Sequence, residues 1–111
     1  MKNLFLRIPA SFPEEITTAL LRTKSFRLER IVSPPNPGRK KSVPLTGWLC
    51  QDKPEWVILL QGSAGLRFQK GKTVRTLKPG DYLNIPAKVI HRVEWTDSRK
   101  PTVWLALHYS K

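Results

Sequence analysis

The chain has 111 residues, 20 Lys plus Arg against 8 Asp plus Glu for a formal net charge of +12, and 40% hydrophobic residues. No composition shift divides it, so residues 1–111 read as one domain of ordinary size, which excludes an enzyme built around a cleft between two lobes. The apolar content excludes disorder, and the longest apolar stretch, Trp56 to Leu60, is far short of the roughly 20 residues of a membrane helix.

At the start, Arg7 interrupts the apolar run of MKNLFLRIPA before a signal-peptide core of about 7–15 residues can form, so a cytoplasmic location is expected. The single Cys50 agrees, because it can form no internal disulfide and is read as a small buried hydrophobe or a pocket residue. Ser11-Phe12-Pro13-Glu14 has the S-x-x-E spacing of a capping box, and Ile16, Ala19 and Leu20 follow at helical spacing, which predicts one short N-terminal helix over Glu14 to Leu21. From Phe26 the pattern changes to period two, with Phe26, Leu28 and Val32 alternating with Arg27 and Glu29 as in a half-buried strand. The prolines and glycine of Ser33 to Lys41 predict a mobile loop.

Short strand-like runs then follow at Leu45 to Cys50, Trp56 to Gln61, Gly65 to Gln69, Thr73 to Leu77, Tyr82 to Ile85, Val89 to Trp95 and Thr102 to Tyr109. Gln69-Lys70-Gly71-Lys72 supplies a hairpin glycine, Lys78-Pro79-Gly80-Asp81 has the composition of a type II turn, and Thr96-Asp97-Ser98-Arg99 marks a third turn before Pro101. Such spacing implies an all-β sandwich or barrel.

Two of these segments, Glu55-Trp56-Val57-Ile58-Leu59-Leu60-Gln61-Gly62 and Gly80 through Pro86 to His91, resemble the cupin family. Its first motif ends in Glu, six residues, Gly. Its second runs Gly, five residues, Pro, one residue, Gly, two residues, His, and here Lys88 stands at the inner glycine. The resemblance covers Leu45 to Tyr109 and is closest to small single-domain cupins. It implies a jelly-roll β-barrel of two antiparallel sheets with a pocket between them, and in many members a divalent metal ion held by two His and the Glu of the first motif with the His of the second. The paired His fall here at Trp48 and Cys50 or at Leu49 and Gln51, and neither pair contains a histidine. The resemblance also implies a homodimer in which an N-terminal strand, here Asn3 to Ile8, joins the partner's sheet and covers an apolar edge.

The candidate metal set is therefore Glu55, His91 and Gln51, with Cys50 and His108 as further candidates. A zinc or non-haem iron centre usually takes at least three protein ligands, so the site is expected to be degenerate or absent. Strand alternation puts His91 with Val89, Val93 and Trp95, opposite Arg92 and Glu94. On the last strand Trp104, Ala106 and His108 share one face and Leu105, Leu107 and Tyr109 the other, and either set can face inward. A buried Glu55 would need a partner, which His91 or a metal would supply. Trp48 and Trp95 serve either as core volume or, with Glu55 and His91, as the wall of a site for a small-molecule ligand. The expected function is binding of that ligand in the barrel. The alternatives are a metal-dependent dioxygenase, isomerase or decarboxylase, and a basic protein that contacts anions or nucleic acid. Nucleic acid is the weakest partner, because no helix-turn-helix, zinc-finger spacing or RNA-binding aromatic motif accompanies the charge.

Overall fold

The computed structural model describes residues 1–36, 45–71 and 73–110. The described residues form eight strands: β1 Ile16–Arg22, β2 Phe26–Ser33, β3 Glu55–Gln61, β4 Ala64–Phe68, β5 Val74–Leu77, β6 Tyr82–Ile85, β7 His91–Thr96 and β8 Thr102–Tyr109. They form a five-stranded sheet in the order β1-β2-β8-β3-β6 and a three-stranded sheet in the order β5-β4-β7, with all pairs antiparallel. The two sheets pack through Leu59, Ala64, Leu66, Leu77 and Trp104, all of them buried. Fully burying a side chain the size of Leu59 stabilises the fold by about 2 kcal/mol. The all-β, two-sheet expectation holds, and six of the predicted runs fall on β3 to β8 with ends shifted by no more than two residues.

Three expectations fail for identifiable reasons. The segment predicted as a helix is strand β1, because Ile16-Thr17-Thr18 is a β-branched run and β2 offers it a full antiparallel ladder. Tertiary pairing overrides a helical spacing carried by only three apolar residues, and Ser11 and Glu14 of the supposed capping box lie exposed ahead of the strand. Residues Leu4–Arg7, within the segment expected as a strand, form a turn with Arg7 at φ 58°. Arg30 fixes that turn to the outer face of β2 by donating from Nη1 to the carbonyls of Leu4 and Leu6, at 3.0 and 2.9 Å. Leu45 to Cys50 is not a strand but a segment lying along β7, tied by reciprocal bonds between Leu49 and His91 at 2.7 and 3.0 Å. Further up, the amides of Leu45 and Thr46 both donate to the Val93 carbonyl, an offset that breaks the ladder. Pro37, Gly38, Arg39, Lys40 and Lys41 of the expected loop and Lys72 of the expected hairpin turn lie outside the described residues.

Two turns follow from their sequences. Gly80 has φ 95°, and the Asp81 amide donates to the Lys78 carbonyl at 2.9 Å, as a type II turn requires. Asp97 accepts from the amides of Arg99 and Lys100 at 2.9 and 3.2 Å and from the Ser63 hydroxyl at 3.1 Å, closing the β7–β8 turn. Burial alone would raise the Asp97 carboxyl, but these donors together hold it below its ordinary value.

Candidate functional site

Between the sheets lies a cavity of about 330 Å³. Its apolar wall comes from Ile31, Val57, Leu66, Ile85, Val93 and Trp104, and its polar groups include Glu15, Glu29, Glu55, Gln51, His91 and His108. A single transverse row of the large sheet builds one end of it. Arg22 lies opposite Arg27, Arg27 opposite His108, His108 opposite Glu55, and Glu55 opposite Ile85. Residues directly opposite one another share a face, so the burial of Trp104 and Ala106 settles β8 with His108 on the concave side.

His91 stands on the small sheet, facing this row across the cavity, and is only 3% exposed. Its Nδ1 lies 2.9 Å from the Val89 carbonyl. The carbonyl can only accept, so Nδ1 carries a proton, and in the neutral ring Nε2 is the acceptor. Glu55 is equally buried, at 7% exposure. Its partner is not His91 but His108, whose Nε2 lies 3.7 Å from Glu55 Oε2 and 3.2 Å from Glu29 Oε1. Glu29 is held in turn by Arg27, with Nε 2.9 Å from Oε2. From the core, Trp104 Nε1 donates to Ser33 Oγ at 3.3 Å, and Ser33 donates on to Glu15 Oε2 at 3.4 Å. Desolvation raises the Glu15 carboxyl above its ordinary range, the Ser33 bond pulls it partly back, and the Glu55 charge adds to the rise.

The structure brings Glu55, His91, Gln51 and His108 to one cavity and leaves Trp48, Trp95 and Cys50 out of its lining. Trp48 is 42% exposed and lies on the outside, with the Arg92 guanidinium 4.1 Å from its ring centroid. Trp95 is turned away by a β-bulge. Leu66 pairs with Val93 while Gly65 pairs with Trp95, so Glu94 is an extra residue and alternation reverses beyond Val93. The indole then covers Gly65, where any Cβ would run into its ring. Cys50 is exposed, with Sγ 3.9 Å from the Lys88 carbonyl, so neither the buried-hydrophobe nor the pocket reading applies. Lys88 keeps the conformation of the motif glycine it replaces, at φ 68°, with its amide on the Gln51 carbonyl at 2.7 Å and its ammonium paired to Asp52.

The metal expected of the family does not fit these residues. Leu49 and Gln51 take the inward positions where paired histidines would stand, and a leucine cannot ligate. Among the described residues no group of three or more His, Cys, Asp or Glu is arranged to hold a metal ion. Glu15, Arg27 and Glu29 are cavity residues that the sequence reading missed. On β2 the apolar Phe26, Leu28 and Val32 suggested the inner face, but their outer face is partly covered by the N-terminal turn that Arg30 anchors. The charged alternates therefore point inward, and Arg27-x-Glu29 beside Ile31 was the available signal.

No family model and no curated protein matches the chain. Solved structures do. A protein of Ralstonia eutropha JMP134, provisionally named a mannose-6-phosphate isomerase, is 40% identical over 100% of this chain and 98% of its own, with a TM-score of 0.87. A cupin superfamily protein of Desulfitobacterium hafniense DCB-2 is 18% identical over 94% of this chain and 84% of its own, at a TM-score of 0.70. A Klebsiella pneumoniae protein with a double-stranded beta-helix domain is 16% identical over 98% of this chain and 88% of its own, at 0.71. These two share the fold. With the Glu55–Gly62 and Gly80–His91 motifs seated on β3, β6 and β7 around a cavity between two antiparallel sheets, the chain has the double-stranded β-helix fold of the cupins.

Proposed function

We propose that the protein binds a small molecule rich in hydroxyl or amino donors in the cavity between its sheets. One observation carries this reading. In a chain with 20 cationic and 8 acidic residues, the cavity collects the carboxyl groups of Glu15, Glu29 and Glu55, and among the described residues only one cation, Arg27, lines it with them. Such a concentration of acceptors in an apolar-walled cavity suits a ligand that donates hydrogen bonds. Two further acceptors support it: Nε2 of the neutral His91 ring, and Gln51 Oε1, which is buried without a partner among the described residues. An unmet buried acceptor carries a desolvation cost that a ligand hydroxyl would relieve.

The test is calorimetric titration of neutral polyols, aldoses and polyamines into wild type and Glu55→Gln. One class is expected to bind, and about ten-fold more weakly to the variant, as loss of a charge-assisted hydrogen bond predicts. Binding by no class, or equal binding by both proteins, overturns the reading.

A second reading, sugar isomerisation, draws on the name of the Ralstonia protein and on one local feature. Glu15, whose carboxyl is raised by desolvation, and Glu55 share the cavity, and two carboxyl groups facing one ligand can serve proton transfer. A base that takes a proton from one carbon and returns it to the neighbouring carbon, with the hydroxyl proton moving to the carbonyl oxygen, converts an aldose to a ketose. Incubation with mannose 6-phosphate, followed by NMR, is expected to yield the ketose under this reading, and unchanged aldose refutes it.

A further inference from the structure

Beside the acidic cavity, and sharing Arg27 and His108 with it as a common wall, lies a second recess of about 250 Å³ lined by Arg22, Thr23, Phe26, Arg27, Lys53 and His108. We propose that this recess is an anion subsite, which holds the phosphate of a phosphorylated polyol whose hydroxyl-bearing body lies in the cavity. The inference rests on the cavity reading above for the body of the ligand, but not for the anion.

Three features of the fold converge on it. First, the β1–β2 register shifts between Ala19 and Leu21, so Leu20 is an extra residue. Thr17 lines the cavity, and without the bulge Leu21 would share its face. With it, Arg22 takes the concave side, opposite Arg27. Bulges that re-aim a side chain are characteristic of sites. Second, two arginines directly opposite in a ladder repel one another, an arrangement that an anion between them would relieve. Third, the cations are available. Neither Arg22 nor Lys53 has an acidic partner among the described residues, and the Glu29 contact engages only Nε of Arg27, leaving the terminal amino groups of its fork uncommitted. A guanidinium fork with an ammonium beside it is the donor set that phosphate oxygens take.

The row Arg22-Arg27-His108-Glu55 thus runs from positive at the sheet edge to negative in the cavity. A neutral polyol would leave the positive end empty, and a simple anion would leave the acceptors unmet. A polyol carrying a phosphate at one end meets both.

The experiment is an NMR titration of the labelled, full-length protein at low ionic strength with inorganic phosphate, then with ribose and ribose 5-phosphate. The double variant Arg22→Ala, Lys53→Ala, whose two sites are exposed and leave the core intact, and Glu55→Gln are titrated alongside. Saturable phosphate shifts centred on Arg22, Thr23, Phe26 and Lys53 are expected. Ribose 5-phosphate is expected to bind at least about ten-fold more tightly than ribose, an advantage the double variant loses while its ribose affinity stays unchanged. Phosphate shifts scattered over exposed lysines, or equal wild-type affinity for ribose and its phosphate, overturn the subsite. Saturation of the recess by inorganic phosphate, with no ribose binding and no effect of Glu55→Gln, supports the subsite and overturns the cavity reading instead.

Discussion

At the scale of single residues, Glu15 shows how a carboxyl lining the cavity couples to stability. Desolvation and the Glu55 charge raise it against the Ser33 bond, so the native protein binds that proton more tightly than the unfolded chain does. Ionised Glu15 therefore opposes folding above its native titration point, and the penalty disappears once pH falls below the unfolded value. Glu15→Gln is expected to raise the melting temperature at pH 7 by less than about 5 °C, with the two curves converging as pH falls toward ~4. A variant that melts with wild type at pH 7 would contradict the burial argument. His91 was legible as an inward residue because alternation and the motif spacing agree on it, whereas Glu55 was marked by the motif spacing alone. Glu15 was not legible, because its role depends on Ser33 and Trp104, which lie 18 and 71 positions from their partners in this chain of contacts.

Among the elements, irregularities decide more than the strands themselves. The extra residues Leu20 in β1 and Glu94 in β7 each reverse the alternation that follows, sending Arg22 to the concave face and Trp95 to the outside. A period-two reading cannot foresee a bulge, since every residue beyond it changes face. Trp95 covers Gly65, and an added Cβ there would meet the indole, whereas nothing lies within 4 Å of a Cβ at Gly47. Gly65→Ala is expected to cost about 1–3 kcal/mol in urea denaturation, against less than about 0.5 kcal/mol for Gly47→Ala. Equal stability of the two variants would show that the indole does not need the space.

For the whole molecule, the separation of charge is the leading feature. The surface carries a large positive excess while three of the 8 acidic residues face one cavity. Among the described residues no helix is long and apolar enough to cross a membrane. Strand β1 is the edge of the large sheet, and Phe5, Leu6, Leu20 and Leu21 are 43–58% exposed on it and on the N-terminal turn. An open edge with apolar side chains pairs readily with another chain. Light scattering at micromolar concentration is expected to return twice the chain mass, and Leu21→Glu the monomer. A monomeric wild type would refute dimerisation through this edge.

By itself the sequence determined the fold class, the positions of β3 to β8, the Gly80 turn and the two motifs that bring Glu55 and His91 to one cavity. Those follow from local rules: alternation, turn chemistry and fixed spacing. Only the tertiary structure decided that the predicted helix is β1, that His108 rather than His91 partners Glu55, and that Arg27, Glu29 and Glu15 face inward while Trp48, Trp95 and Cys50 do not. Each of those outcomes depends on which strand lies alongside, where a bulge falls, or what covers the outer face, and these are properties of pairings distant in the chain.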